Sequence, residues 1–375
     1  MLKRILILLS LWKIYVFIFA LIGSLLLSLQ HKSTAQVSAF GLPYFHWIWG
    51  NFDGVHYVEI ARAGYHYPNY AYFPFYPFLI SSLRDLSAFQ AITAGLLISH
   101  ASLFISLFFV YKIARLDFDK NTSWKSILFL LAFPTAFFYG AVYADALYLL
   151  LSVVSFYNAR KNRWFLAGVF GYLASLTRLV GIVLLPVLLL EWYTQKQHRG
   201  KLLPYLFRQF FKERVYSLFL IPLGIITYGT YLQHNFGDFL LFQKSMQEWN
   251  QEQIIFPLQT VFRYIKIFIL AQKDIIYFIA SIEFIATITY LLLAMYVFLK
   301  VRMSYGLLML LTLLIPAFTG IFQSMPRYML HLFPGFIAIA LLTRKSRKRF
   351  WITIVGFLIL QGIFVALFTR GYFVA

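Results

Sequence analysis

The chain has no cysteine, so disulfides and thiolate metal ligands are excluded from its chemistry. Charge is scarce as well: 12% of the 375 residues are charged, about half of what a soluble domain carries. Acids are the rarer sign, 13 Asp and Glu against 33 Lys and Arg. Neither a GxGxxG fingerprint nor a GxxxxGK[ST] loop occurs, which leaves no recognisable backbone cradle for a soluble nucleotide. The first long polar loop has no DxD-like pair of acids, so neither a metal nor an organic cofactor is expected. No internal repeat is visible, which counts against the two-halved architecture of many secondary transporters.

What remains is apolar: 61% of residues are hydrophobic and the mean hydropathy is +0.74. Many runs approach the ~20 residues needed to cross a bilayer as helix, and they lack the alternation of a barrel strand. The expected fold is therefore an all-α, polytopic transmembrane bundle forming one domain over residues 1–375. Spans are expected at residues 5–29, 89–114, 127–139, 141–157, 164–177, 179–193, 215–232, 275–299, 305–322, 328–342 and 351–369, about eleven in all. The first, preceded by Lys3 and Arg4, reads as a signal anchor. Two long polar stretches, residues 30–88 and 233–274, then fall on one side. Within the second, residues 256–270 are apolar but carry Arg263 and Lys266, the pattern of an interfacial or re-entrant helix rather than a spanning one.

Charge orients this arrangement. Twenty-two of the 33 basic residues fall in the shorter loops and ends on the starting side, which the positive-inside rule makes cytoplasmic. The basic excess thus lies beside anionic headgroups, and no nucleic-acid partner is implied. Nine of the 13 acids lie on the other side: Asp53, Glu59, Asp85, Asp145, Asp238, Glu248, Glu252, Asp274 and Glu283. The N-terminus is therefore expected in the cytoplasm and both long loops outside or in a lumen; the expected location is a bacterial plasma membrane, with an endoplasmic reticulum membrane as the alternative. An enzyme with its acids there must take an activated substrate that is already in the membrane.

The first loop, residues 47–78, reads WIWGNFDGVHYVEIARAGYHYPNYAYFPFYPF. Were that membrane substrate a sugar on a lipid phosphate, its transfer would need a base for the acceptor hydroxyl, donors for the departing phosphate and an aromatic platform for the sugar. Asp53 is the candidate base. His56 lies one turn later if residues 54–63 are helical, with Tyr57 beside it. Arg178 and Arg327 suit the phosphate because a planar guanidinium matches its oxygens in pairs. Tyr65, Tyr72, Phe73 and Tyr76 are candidates to stack on the sugar, and Asp145 is an acid costly to bury in an apolar segment. Each has a plainer reading. Asp53 suits the N-cap of a helix closed by Gly64, Asp145 suits a structural pair with Arg178, Arg327 suits a helix anchor, and the aromatics suit an interfacial belt.

Five stretches now carry a resemblance. NFDGVHYVEIARAGY with YFPFYPF, FPTAFFYGAVYADALY, SLTRLVGIVLLP, NFGDFLLFQKSMQEWNQEQIIFP and SMPRYMLHLFP follow one another between Asn51 and Pro334. In that order they closely resemble the PIG-V mannosyltransferase family and its bacterial relatives. The resemblance implies a GT-C glycosyltransferase whose loop acid is the base and whose donor is a polyprenyl-phosphate sugar. It also points to Gln243 and Trp249 as substrate-binding. One departure is Asn51-Phe52, where the family usually has Trp just before the acid.

The reading is an inverting hexosyltransferase, expected to be a mannosyltransferase, acting from a polyprenyl-phosphate sugar on a lipid or glycan hydroxyl at the outer face of the bilayer. A lipid-linked sugar transporter or flippase is the second reading; it requires polar residues spread along several spans at mid-membrane. The charge count generates a direct test. In this cysteine-free chain, single cysteines at Tyr67 or Glu248 should react with an impermeant thiol reagent in sealed cells, and one at Lys161 should react only after permeabilisation. Labelling of the Lys161 position from outside would refute the topology.

Overall fold

The structure, a computed structural model, describes residues 1–86, 90–197, 203–249, 251, 255–273 and 275–374. Arg199, Lys201, Glu252 and Asp274, which entered the charge count, lie outside the described residues. Every regular element among the described residues is helical. In chain order they include α1 (Leu2–Leu26), α2 (Asp53–Ala63), α3 (Phe75–Leu86), α4 (Ala91–Ala114), α5 (Lys120–Ala132), α6 (Asp145–Arg160), α7 (Trp164–Thr177), α8 (Leu184–Gln197), α9 (Leu220–Phe236), α10 (Pro257–Leu270), α11 (Ile275–Lys300), α12 (Met303–Ala317), α13 (Met325–Tyr328), α14 (Phe333–Leu342) and α15 (Arg347–Thr369).

Among the described residues, six helical stretches are long and apolar enough to cross a bilayer: Leu2–Leu26, Ala91–Ala114, Leu179–Lys196, Val215–Phe236, Tyr277–Lys300 and Arg347–Thr369. A seventh counts if Met325–His331 and Phe333–Leu342, bent by 88°, form one broken span. The expected total of about eleven is not reached on this measure. Helices α5, α6, α7 and α12 have 13 to 16 residues, about 20–24 Å at 1.5 Å per residue, against about 30 Å of hydrocarbon. An apolar run of that length is equally well a short helix shielded by its neighbours. α6 is such a helix, packed between α4 and α7 and buried on almost every face.

Small residues bring the helices close where side chains would hold them apart. A Cβ on Gly224 of α9 would stand 2.7 Å from the carbonyl oxygen of Tyr172 in α7. One on Gly168 at the other end of α7 would run into the backbone of Ser217. Two backbones therefore cross in direct contact, with α7 leading into Arg178 and α9 into the second long loop.

The two ends of the bundle differ in charge chemistry. At one end the two long loops meet: the Tyr67 hydroxyl donates to Glu248 (3.2 Å), and Trp249 lies edge-on to His56 and Tyr72. At the other end, all four acids outside the set of nine carry basic partners. Asp117 pairs with Arg160 and Arg302, Asp119 with Arg344, and Glu213 with Lys196. The fourth, Glu191, is fully buried and accepts from Arg302 (3.0 Å), Gln195 (2.7 Å) and Ser304 (2.5 Å), with Arg160 at 3.3 Å. This network joins α6, α8 and α12, and deleting one partner of a buried pair typically costs about 3–5 kcal/mol. Glu191→Ala should therefore lower the thermal unfolding midpoint in detergent by many degrees, whereas the exposed Asp85→Ala should leave it near wild type. Equal midpoints for the two variants would remove the network from the list of stabilising contacts.

Candidate active site

Three hydrogen bonds fix the chain where it enters α2. Val142 N–H donates to Trp49 O (2.9 Å), the Tyr143 hydroxyl to Asn51 O (2.8 Å), and Asn51 Nδ2 to Phe368 O (2.9 Å). Phe52 then adopts φ +57°, a region in which a bulky L residue is held at a cost of about 1–3 kcal/mol. Its ring lies against Phe368 (5.8 Å) and Phe373 (5.9 Å). The reversal starts α2 at Asp53, and Gly64 at φ +83° closes it, as the sequence suggests.

The capping alternative for Asp53 fails. Phe52 occupies the N-cap and no side chain caps the helix. The Asp53 carboxylate turns instead toward Arg327, whose Nη2 lies 2.8 Å from Oδ2, while Oδ1 accepts the Tyr72 hydroxyl at 3.2 Å. Burial, with the Asp53 charge adding to it, raises the Tyr72 phenol well above its ordinary value, so it remains a donor.

Behind this pair the charges alternate. Arg327 lies over the faces of Tyr143 (5.4 Å) and Phe138 (5.6 Å), and its Nε, which has no hydrogen-bond partner, is 3.9 Å from Asp145 Oδ1. The same Asp145 oxygen meets Arg178 Nη1 (3.1 Å) and His331 Nε2 (3.0 Å). Arg178 in turn lies over Tyr328 at 5.3 Å. Asp53, Arg327, Asp145 and Arg178 thus form one row of alternating sign, drawn from the first loop, α13, the start of α6 and the extended residue after α7.

This row borders a cavity of about 610 Å³. Of the residues singled out in the sequence, Asp53, Tyr57, Tyr72, Arg178, Gln243, Trp249 and Arg327 line it, as does Phe73. His56 does not; it stacks on Tyr72 (4.8 Å, 21°) and bonds to Asn69 (2.5 Å). Asp145 is fully buried behind the arginines, in the pair with Arg178 that the plainer reading named. Tyr76 is a core residue, bonded to Ser99 (2.8 Å) and Gly95 O (3.0 Å), and has no face for a sugar. The lining also has an apolar part, with Phe318, Phe368, Phe373 and Val374. Sequence reasoning missed these four and also Gln323, one residue before the SMPRYMLHLFP stretch; Ser324 opens that stretch but is not singled out within it, and Phe373 carries no signal of its own.

A carboxylate held between a guanidinium and a phenol, beside a second guanidinium and an aromatic rim, is suited to accept a proton where a phosphate departs. A sequence model described as Mannosyltransferase (PIG-V) matches residues 1–269 of the 375. The chain belongs to the PIG-V mannosyltransferase family. No curated protein matches it in sequence. Among solved structures, it is similar to the oligosaccharyltransferase of Archaeoglobus fulgidus, crystallised with Zn and sulfate, at 15% identity and a TM-score of 0.42. That match covers 84% of this chain and 48% of the other, so the chain spans about half the length of that protein.

The paired geometry of Arg327 and Arg178 gives a test within this mannosyltransferase family. Lysine keeps the charge but loses the planar fork. Arg327→Lys and Arg178→Lys should each insert and fold, and lose about 10²-fold in sugar transfer, the scale of removing one fixed donor to developing negative charge. Wild-type rates in both variants would make these residues helix anchors only.

Proposed function

We propose that this membrane glycosyltransferase moves a hexose, mannose by family, from a polyprenyl-phosphate sugar to a hydroxyl of a lipid or glycan acceptor. The reaction takes place at the outer face of a bacterial plasma membrane, with Asp53 as general base. The observation that carries the reading is Asp53 at the cavity wall, its two oxygens held by Arg327 and Tyr72. The same lining combines two guanidiniums with the apolar side chains of Phe318, Phe368 and Phe373, which supports a donor made of a phosphate head on a hydrocarbon chain.

In this mechanism the acceptor hydroxyl gives its proton to Asp53 as its oxygen bonds to the anomeric carbon. The bond from that carbon to the phosphate oxygen breaks, and its electron pair leaves on the phosphate, whose charge the guanidiniums of Arg327 and Arg178 meet. The second carboxylate, Asp145, lies behind the arginines and does not line the cavity. Among the described residues no second carboxylate lines the cavity beside Asp53, which supports a single displacement that inverts the anomeric centre. Neutral Tyr72 and the edge of Trp249 supply the rim against which the sugar packs.

The decisive experiment is transfer by purified protein from a panel of polyprenyl-phosphate sugars, with Asp53→Asn and Glu59→Gln compared side by side. Asn keeps the shape of Asp53 and cannot take the proton. It should bind donor and lose roughly 10²- to 10⁴-fold in rate, the size of a general-base contribution. Glu59, bonded to Asn69 outside the cavity (3.2 Å), controls for loss of loop charge and should stay close to wild type. A folded Asp53→Asn enzyme turning over near the wild-type rate would sink the assignment of the base.

A further inference from the structure

Arg327 is delivered by a short connection between α12 and α13. Residues 318–324 include two positive φ angles, Gly320 at +82° and Ser324 at +62°, and Gln323, Ser324 and Arg327 all line the cavity. The connection is gripped from one side by α10 and its approach. Ile255 N–H donates to Phe318 O (2.7 Å), Thr260 Oγ1 to Ala317 O (2.9 Å) and Arg263 Nη1 to Gly320 O (3.3 Å). Tyr264, one turn beyond Thr260 on the buried face of α10, accepts Phe322 N–H through its hydroxyl (3.0 Å) and donates to Glu283 Oε2 (2.8 Å).

Glu283 completes the grip with its other oxygen, which accepts Ser324 N–H at 3.1 Å. Ser324 O in turn accepts Arg327 N–H (2.9 Å), the first bond of α13. A continuous path thus runs from Glu283 through Ser324 to Arg327 and on to Asp53. Glu283 is an acid within the span Tyr277–Lys300 and is 5% exposed. An ionisable group at such a position is costly there and has a function by default, and neither the base nor the phosphate-binding arginines explain it.

We infer that Glu283 and Tyr264 are positioning residues for Arg327: together they clamp the Phe322 and Ser324 amides and so fix the reach of that guanidinium to Asp53 and to the leaving phosphate. The helix α10, which from sequence reads only as interfacial or re-entrant, is the brace of the site. The inference adds to the proposed function two residues that do not touch substrate.

Three variants test it. Glu283→Ala removes both acceptors, Glu283→Gln keeps an amide oxygen for Ser324 N–H, and Tyr264→Phe removes one hydroxyl while its ring keeps packing on Phe322 (4.9 Å) and Phe284 (5.9 Å). Amide hydrogen exchange over residues 318–327, read without substrate, should speed up at Phe322 and Ser324 in Glu283→Ala and at Phe322 in Tyr264→Phe, with Glu283→Gln close to wild type at Ser324. In transfer, kcat should fall in Glu283→Ala by about 10²-fold, as for a group misplaced by about 1 Å. The donor KM should stay within a few-fold, and Glu283→Gln should recover most of kcat. Wild-type exchange at both amides in Glu283→Ala and Tyr264→Phe would overturn the clamp. So would a kcat loss that follows the unfolding midpoint and is not recovered by Gln. If the wild-type protein transferred none of the sugars offered, the proposed function would fail, and the exchange experiment would still decide the clamp.

Discussion

The site depends on holding two carboxylates and two guanidiniums side by side, all but Asp53 largely buried. Ion pairs there are not a cheap source of stability, because desolvating the partners costs about what their attraction returns. What the arrangement supplies is definition. Asp53, Arg327, Asp145 and Arg178 alternate in sign, so each is acceptable only while its neighbours are present, and each comes from a different part of the chain. Folding therefore has to bring the first loop, α6, the residue after α7 and α13 together before any of these charges is matched.

The same chemistry is used differently at the other end of the molecule. Glu191 is satisfied on every side by Arg302, Arg160, Gln195 and Ser304, which makes a closed network that ties helices together. At the cavity the matching is incomplete: Arg327 Nε, Asp145 Oδ2 and His331 Nδ1 are buried without partners. Buried polar atoms in a folded protein are normally satisfied. The network at the basic end is closed, and the one behind the cavity is not.

Much of this was legible in the sequence because the residues concerned are rare in their surroundings. One acid in an aromatic loop, one acid in an apolar hairpin and arginines at two junctions stand out against a chain so poor in charge, and the structure brings them into one row. The helix after Asp53 and its closure at Gly64 follow from ordinary helix chemistry. Other features were not legible. Hydropathy alone does not distinguish a short shielded helix such as α6 from one that crosses, which is why the expected span count exceeds the number of helices long enough to cross by themselves. Tyr76 and Tyr72 look alike in YAYFPFYPF, and only packing shows that one is core and the other faces the cavity. Phe52 was a departure from the usual residue, and its positive φ is set by Asn51, Tyr143 and Phe368, which no local pattern connects.

The crossing of α7 and α9 acts as a gauge. With no side chain on Gly224, the distance between the two helices is set by their backbones, and backbones do not vary from one rotamer to another. α7 ends at Arg178 and α9 leads to Gln243 and Trp249, on separate parts of the cavity wall. The missing methyl group thus calibrates the width of the cavity from outside it. A chain that acquired a side chain at position 224 would have to widen that spacing, and with it the separation between the end of α7 that carries Arg178 and the helix that leads to the second long loop.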